Sequence, residues 1–212
     1  MNITKKSFWS GSYSIVGMTF IFSFLANLPV FIFGRGYNNL LALFSIIFMA
    51  FLPIIMIRKV FQLSLEDFGF RLPKNRRTFF LSISWVLIVL APVVIFLSRL
   101  ESFQDFYSVS DLSYIKIIWR TIFLSIIYFF AEEFLFRGFL FWGLFRNLGM
   151  HSFWITSLIF SFFHLGKPPF EILVAFFTSL LFCYLSYKNK SFIPAAVTHF
   201  IMAFSVNMLI IF

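Results

Sequence analysis

Long apolar runs separated by short polar connections divide this chain into seven segments. Each is near the roughly 20 residues a helix needs to cross a hydrocarbon core about 30 Å thick. The pattern predicts spans at approximately Tyr13–Phe33, Leu40–Ile57, Phe79–Leu97, Ile117–Phe145, Phe153–Leu165, Ile172–Tyr187 and Phe192–Phe212. The fifth and sixth are short. The expectation is an all-α, polytopic membrane protein of about seven transmembrane helices, with its chemistry in the last four. It divides into an N-terminal part (1–115), made of transmembrane helices and a cation-rich loop, and a core (116–212) with the candidate site.

Cations fall mainly between the runs. Lys5 and Lys6 precede the first, and Arg58, Lys59, Arg71, Lys74, Arg76 and Arg77 lie between the second and third. Arg146 follows the fourth, and Lys188 and Lys190 follow the sixth. The intervening connections hold Arg35 alone, Lys167 beside Glu171, or a mixed set in which Arg99 and Lys116 face Glu101, Asp105 and Asp111. By the positive-inside rule the N-terminus is cytoplasmic and the C-terminus external.

Composition agrees with a lipid environment. Of 212 residues, 61% are hydrophobic and 12% charged, against roughly 45–50% and about 25% in soluble domains. The net charge of +9 does not point to nucleic acid, because the cations punctuate apolar segments instead of forming a polar basic run. A single cysteine, Cys183, excludes an internal disulfide and a multi-cysteine metal site. With no small-residue cleavage site after it, the first apolar run reads as a retained helix, not a signal peptide.

Topology leaves a few polar residues unexplained. Ala131-Glu132-Glu133-Phe134-Leu135-Phe136-Arg137-Gly138 puts two carboxylates and a guanidinium inside an apolar segment. A charge at that depth costs a few kcal/mol on insertion scales, so it calls for a partner or a polar cavity. On a helix Glu133 and Arg137 are i and i+4 and pair, while Glu132 is turned about 100° away and remains available for chemistry. His164 ends the fifth run, four residues after Phe160, and His199 lies within the seventh; His151, near Gly149, reads as a surface residue. A glutamate and two histidines from three helices suit hydrolysis. One group takes a proton from water, and others donate to the charge that develops on the carbonyl oxygen. Depth arithmetic puts Glu132 and His199 at similar levels and His164 several ångströms shallower.

The sequence Glu132-Glu133-x-x-x-Arg137, then Phe160-x-x-x-His164, then His199 resembles the motif set of the CPBP (CAAX protease and bacteriocin-processing, Abi-type) family of intramembrane glutamic endopeptidases. The likeness covers about the last hundred residues. Leu65-Glu66-Asp67-Phe68-Gly69-Phe70-Arg71 is similar to the short loop such proteins carry before their core. The resemblance implies peptide-bond hydrolysis without a metal or other cofactor. It implies Glu132 and His164 as activators of water, Glu133, Arg137 and Phe160 as supporting residues, and His199 as an oxyanion donor. Expected partners are the bilayer and a membrane-associated, leader or CaaX-type peptide, in a bacterial plasma membrane, with the site opening toward the cytoplasm.

One departure stands out. The family commonly places an asparagine three or four residues after the last histidine, where this chain has Met202 and Ala203; the nearest, Asn207, is about 12 Å along the axis. Two other functions therefore stay open: a zinc-dependent protease using Glu132, Glu133, His164 and His199, and a non-proteolytic adaptor or immunity protein. Transport is weaker, since no broken helix pair recurs in matching halves.

Overall fold

The computed structural model describes residues 5–34, 38–107 and 114–211. Arg35, Asp111 and Phe212 lie outside the described residues, as do the side chains of Lys5, Lys6 and Lys116. Among the described residues there are helices and turns and no strand. They comprise α1 (Lys5–Phe33), α2 (Asn38–Ser45), α3 (Leu52–Ile55), α4 (Arg76–Ser98), α5 (Glu101–Tyr107), α6 (Tyr114–Glu133), α7 (Phe141–Leu148), α8 (His151–Phe162), α9 (Pro169–Asn189) and α10 (Ile193–Ile211). Wider π-helical turns join α2 to α3 (Ile46–Phe51), extend α3 (Met56–Val60) and join α6 to α7 (Phe134–Leu140).

Among the described residues, five helical stretches are long and apolar enough to cross a membrane: Gly11–Phe33, Asn39–Val60, Arg76–Ser98, Pro169–Asn189 and Ile193–Ile210. Their outward faces carry large apolar side chains, among them Phe24, Phe31, Leu81, Ile88 and Phe177, as lipid contact requires. Two of the seven expected spans are not among the five. The fourth is helical from α6 through α7, the side chains of its residues 114–121 lying outside those described, and carries three charges at its centre. It is also enclosed by protein, since residues 131–141 are all buried. The fifth, α8, has 12 residues and reaches only about 18 Å, after which the chain turns through residues 163–166.

The π segment Phe134–Leu140 is the axis of the molecule. Phe134, Leu135, Phe139 and Leu140 are fully buried and lead the main core, which also takes in Phe68 and Phe160. Around that axis α10 packs on α4, α6 and α9, α8 packs on α9, and α1 packs on α2 and α7. Behind it sits the Leu65–Phe68 3₁₀ turn, capped by Ser64, whose hydroxyl accepts from the Glu66 N–H at 3.2 Å. Phe70 meets Phe134 edge-on at 5.1 Å, and the Phe192 N–H donates to the Gly69 carbonyl at 3.3 Å. Two glycines permit this docking. Gly69 is left-handed (φ +72°), and a Cβ there would lie 2.7 Å from the Trp142 indole nitrogen. A Cβ on Gly138 would lie 2.6 Å from the Phe134 ring and 3.1 Å from the Phe68 carbonyl oxygen.

The cation-rich connections meet at one end of the bundle. Arg71 Nε donates to the Lys190 carbonyl at 2.7 Å, and the Ser191 hydroxyl donates to the Arg71 carbonyl at 2.6 Å. Arg146 pairs with Asp67 at 3.5 Å, and Asn147 donates to Ser12 at 2.7 Å. At the opposite end the Tyr107 hydroxyl lies 2.8 Å from both Glu171 oxygens, and Lys167 donates to Glu171 at 2.8 Å.

Candidate active site

Glu132 and Glu133 close α6, and the π turn that follows carries Arg137 back beneath them. A π turn often marks a functional position, because the extra residue re-aims the side chains around it. Arg137 Nη1 donates to Glu133 Oε1 at 2.9 Å, with both side chains fully buried. The pairing expected from i, i+4 spacing is thus present although the turn is wider than an α-helix. His199, from α10, brings Nδ1 to 2.7 Å from the same oxygen and to 3.5 Å from Glu132 Oε2. An ionised carboxylate only accepts, so Nδ1 carries a proton toward it, and Nε2 is left for another partner, to which it donates when the ring is doubly protonated. One oxygen of Glu133 therefore receives two donors and holds both Arg137 and His199.

Glu132 is placed differently. Its Oε1 accepts from the Tyr128 hydroxyl at 3.0 Å, one helical turn back, while its Oε2 has no hydrogen-bond partner among the described residues. Phe129 packs against the His199 ring at 4.3 Å and Phe182 at 5.3 Å, both tilted by about 40°, which fixes its plane.

His164 stands in the turn after α8, its Nδ1 bonded to the Phe160 carbonyl at 3.0 Å. A carbonyl also only accepts, so Nε2 of His164 is free to accept in turn. Ligand atoms of Glu132, Glu133 and His199 lie within 4.8 Å of one another, a set that does not include His164. His164 joins the site instead by lining the same cavity as His199. Between them is Phe160, whose ring lies under the Arg137 guanidinium at 4.1 Å, 4.6 Å from His164 and 6.1 Å from His199. A cation over an aromatic face gains about 2 kcal/mol or more when desolvated, so Phe160 both spaces the histidines and stabilises Arg137.

The cavity has a volume of about 490 Å³ and a mostly apolar wall. Tyr128, Phe129, His164, Lys167, His199 and Met202 all line it. It lies toward the ends of α1 and α4 and the start of α9, the end opposite Arg71 and Lys190, so it does not open on the cation-rich side as the sequence reading placed it. Ala203 and Asn207 also line it, but the Asn207 amide donates to the Ala203 carbonyl at 3.0 Å and is held against its own helix. His151 is exposed.

Sequence reasoning missed Tyr128, although i, i+4 spacing to Glu132 was there to find it. It also missed the Tyr107–Glu171–Lys167 cluster at the cavity mouth, which joins elements 64 residues apart. Burial, partly opposed by the Lys167 ammonium, raises the Tyr107 hydroxyl pKa above its ordinary value, which keeps it a donor. The carboxylate set is a poor fit for zinc. Arg137 already supplies the positive charge at Glu133, and His199 Nδ1 is spent on the same oxygen.

No curated protein and no solved structure matches the chain. A family model does: the one described as Type II CAAX prenyl endopeptidase Rce1-like, over residues 114–205. That segment runs from α6 into α10 and holds Glu132, Glu133, Arg137, Phe160, His164 and His199. Over that segment the chain is similar to the Rce1-like family.

Proposed function

We propose that the protein is an intramembrane endopeptidase in which Glu132 activates the water that cleaves a peptide bond. The single observation that carries this reading is the division of labour between adjacent carboxylates. Each keeps one oxygen without a hydrogen-bond partner among the described residues, but Glu133 is held by the charged donor Arg137 and by His199, whereas Glu132 accepts only from the neutral Tyr128 hydroxyl and has its second oxygen 3.5 Å from His199. The Rce1-like match over the same residues supports the reaction class.

Water hydrogen-bonded to Glu132 and to Nε2 of His164 gives a proton to Glu132 as its oxygen bonds to the peptide carbonyl carbon. The tetrahedral oxyanion accepts from Nε2 of His199 with the ring doubly protonated, Nδ1 remaining on Glu133. Glu132 then passes its proton to the amide nitrogen, the C–N bond breaks, and the acid proton left from the water passes to the amine, so that a carboxylate and an ammonium leave. Tyr128 fixes the rotamer of Glu132 through its 3.0 Å hydrogen bond. A mostly apolar cavity of about 490 Å³ suits a few apolar residues or a lipid-modified residue of a CaaX-type, leader or membrane-embedded peptide. With the cation-rich end cytoplasmic, in a bacterial plasma membrane, the cavity faces the external side, which favours peptides presented from the membrane over cytosolic tails.

The test is cleavage of a membrane-peptide library by detergent-purified protein, comparing wild type with Glu132→Gln, with and without chelator. The expectation is cleavage that Glu132→Gln abolishes and chelator leaves intact. Cleavage that survives in Glu132→Gln, or is lost to chelator, overturns the proposal.

A further inference from the structure

Where α4 begins and α9 ends, a groove of about 340 Å³ is lined by Arg71, Leu72, Lys74, Asn75, Thr78, Lys188, Asn189 and Lys190. All four of its charged residues are cations, and no carboxylate lines it. The larger groove beside it, over Trp142 and Arg146, is different because Glu66 and Asp67 compensate its cations.

The cationic groove is built rather than incidental. Arg71 and Lys190 come from loops far apart in the chain that are locked together by the Arg71 Nε bond to the Lys190 carbonyl and the Ser191 bond to the Arg71 carbonyl. Lys190 takes a left-handed conformation (φ +49°), which ends α9 and turns the chain. Asn189 donates to Ser82 at 3.1 Å and clips the end of α9 to the first turns of α4. The floor of the groove is therefore fixed, while the Arg71 terminal nitrogens and the Lys74 and Lys190 ammonium groups have no other side-chain partner among the described residues.

Position says which anion fits. The groove is bounded by the first turn of one candidate span, Arg76–Ser98, and the last turn of another, Pro169–Asn189, which puts it at headgroup level. From it a seam descends between the same two helices. Lys188 donates to the Tyr184 hydroxyl at 3.1 Å, and Tyr184 meets the Trp85 ring at 6.3 Å, both aromatics being exposed on the outside of the bundle. Cations above an exposed Tyr–Trp pair on an apolar flank match a lipid with an anionic phosphate head and acyl chains below it. A free phosphate would use only the top of that surface.

We propose that this groove is a binding site for the phosphate of an anionic phospholipid headgroup, with the acyl chains lying along the Trp85–Tyr184 seam. Lys74→Gln with Lys190→Gln removes two cations from the groove. Arg58→Gln with Lys59→Gln removes two exposed cations from the chain end of another span and serves as the charge-matched control. Protein purified from vesicles of mixed phosphatidylglycerol and phosphatidylcholine is read by native mass spectrometry for retained lipid, with and without added inorganic phosphate. Wild type is expected to retain phosphatidylglycerol selectively. The groove pair is expected to lose roughly 30-fold in that occupancy, from the usual contribution per surface cation, and the control pair to match wild type. Lys74→Gln alone, an exposed side chain whose loss does not threaten folding, is expected to lose about 5-fold. Equal losses in both pairs, no preference over phosphatidylcholine, or displacement by inorganic phosphate at moderate concentration would each overturn the proposal.

Discussion

Replacing Arg137 by methionine keeps much of the side-chain volume and removes the charge at the centre of the site. Glu133, fully buried, then keeps only His199 as a donor to Oε1. Removing one partner of a buried ion pair costs about 3–5 kcal/mol, because the survivor is left charged and unsolvated. Loss of the guanidinium over Phe160 at 4.1 Å adds up to about 2 kcal/mol. Glu133→Gln combined with Arg137→Met removes both charges, so the orphaned-charge penalty disappears. With Glu133→Gln alone as the third variant, the cost of the double variant is therefore expected to fall short of the sum of the two single costs by about 0.5–3 kcal/mol, the usual coupling between residues in contact. Unfolding by denaturing detergent in mixed micelles, followed by tryptophan fluorescence, measures all three variants against wild type. If Arg137→Met costs under about 1 kcal/mol, or the two substitutions simply add, Glu133 is not held as an ion by Arg137. The argument that frees Glu132 for chemistry would then fail.

Other outcomes follow from individual contacts. Tyr128→Phe loses a hydrogen bond to a carboxylate worth about 1.5–3 kcal/mol, so kcat on any cleaved peptide is expected to fall about 10- to 100-fold with KM little changed; an unaltered kcat would remove Tyr128 from the positioning of Glu132. Asn207→Ala is expected to leave kcat within about 2-fold, because its amide is committed to the Ala203 carbonyl, whereas a loss of the 10²–10³ typical of an oxyanion donor would identify it as the missing one. Gly69→Ala forces a Cβ against Trp142 in a left-handed turn and should cost about 1–3 kcal/mol in a thermal melt; a melting temperature equal to wild type would show that the loop yields. Cysteines introduced at Lys74 and Ser102, both exposed and at opposite ends of the bundle, report orientation in intact cells. An impermeant thiol reagent should label only the second, since native Cys183 is buried, and labelling of Lys74→Cys alone would put the cavity on the cytoplasmic side.

Much of this protein is legible along the chain because membrane burial leaves little ambiguity. Backbone groups in hydrocarbon must pair internally, so apolar runs of about 20 residues become helices. A guanidinium among apolar residues must find the carboxylate four positions away, so Glu133–Arg137 could be read directly. Charge alternation likewise grouped the cation-rich connections that the structure gathers at one end. What one dimension did not hold was proximity between distant segments. Whether α8 is long enough to span depends on where its chain turns. Whether the fourth segment faces lipid or protein depends on what packs around Phe134–Leu140. Only tertiary packing brings His199 within 2.7 Å of Glu133, 66 positions earlier, puts Phe160 between two histidines, and docks Phe68 and Gly69 behind the π turn. Those contacts are set by the shapes of apolar surfaces interlocking across helices, and the order of residues along a single helix does not encode which neighbour will fill its grooves.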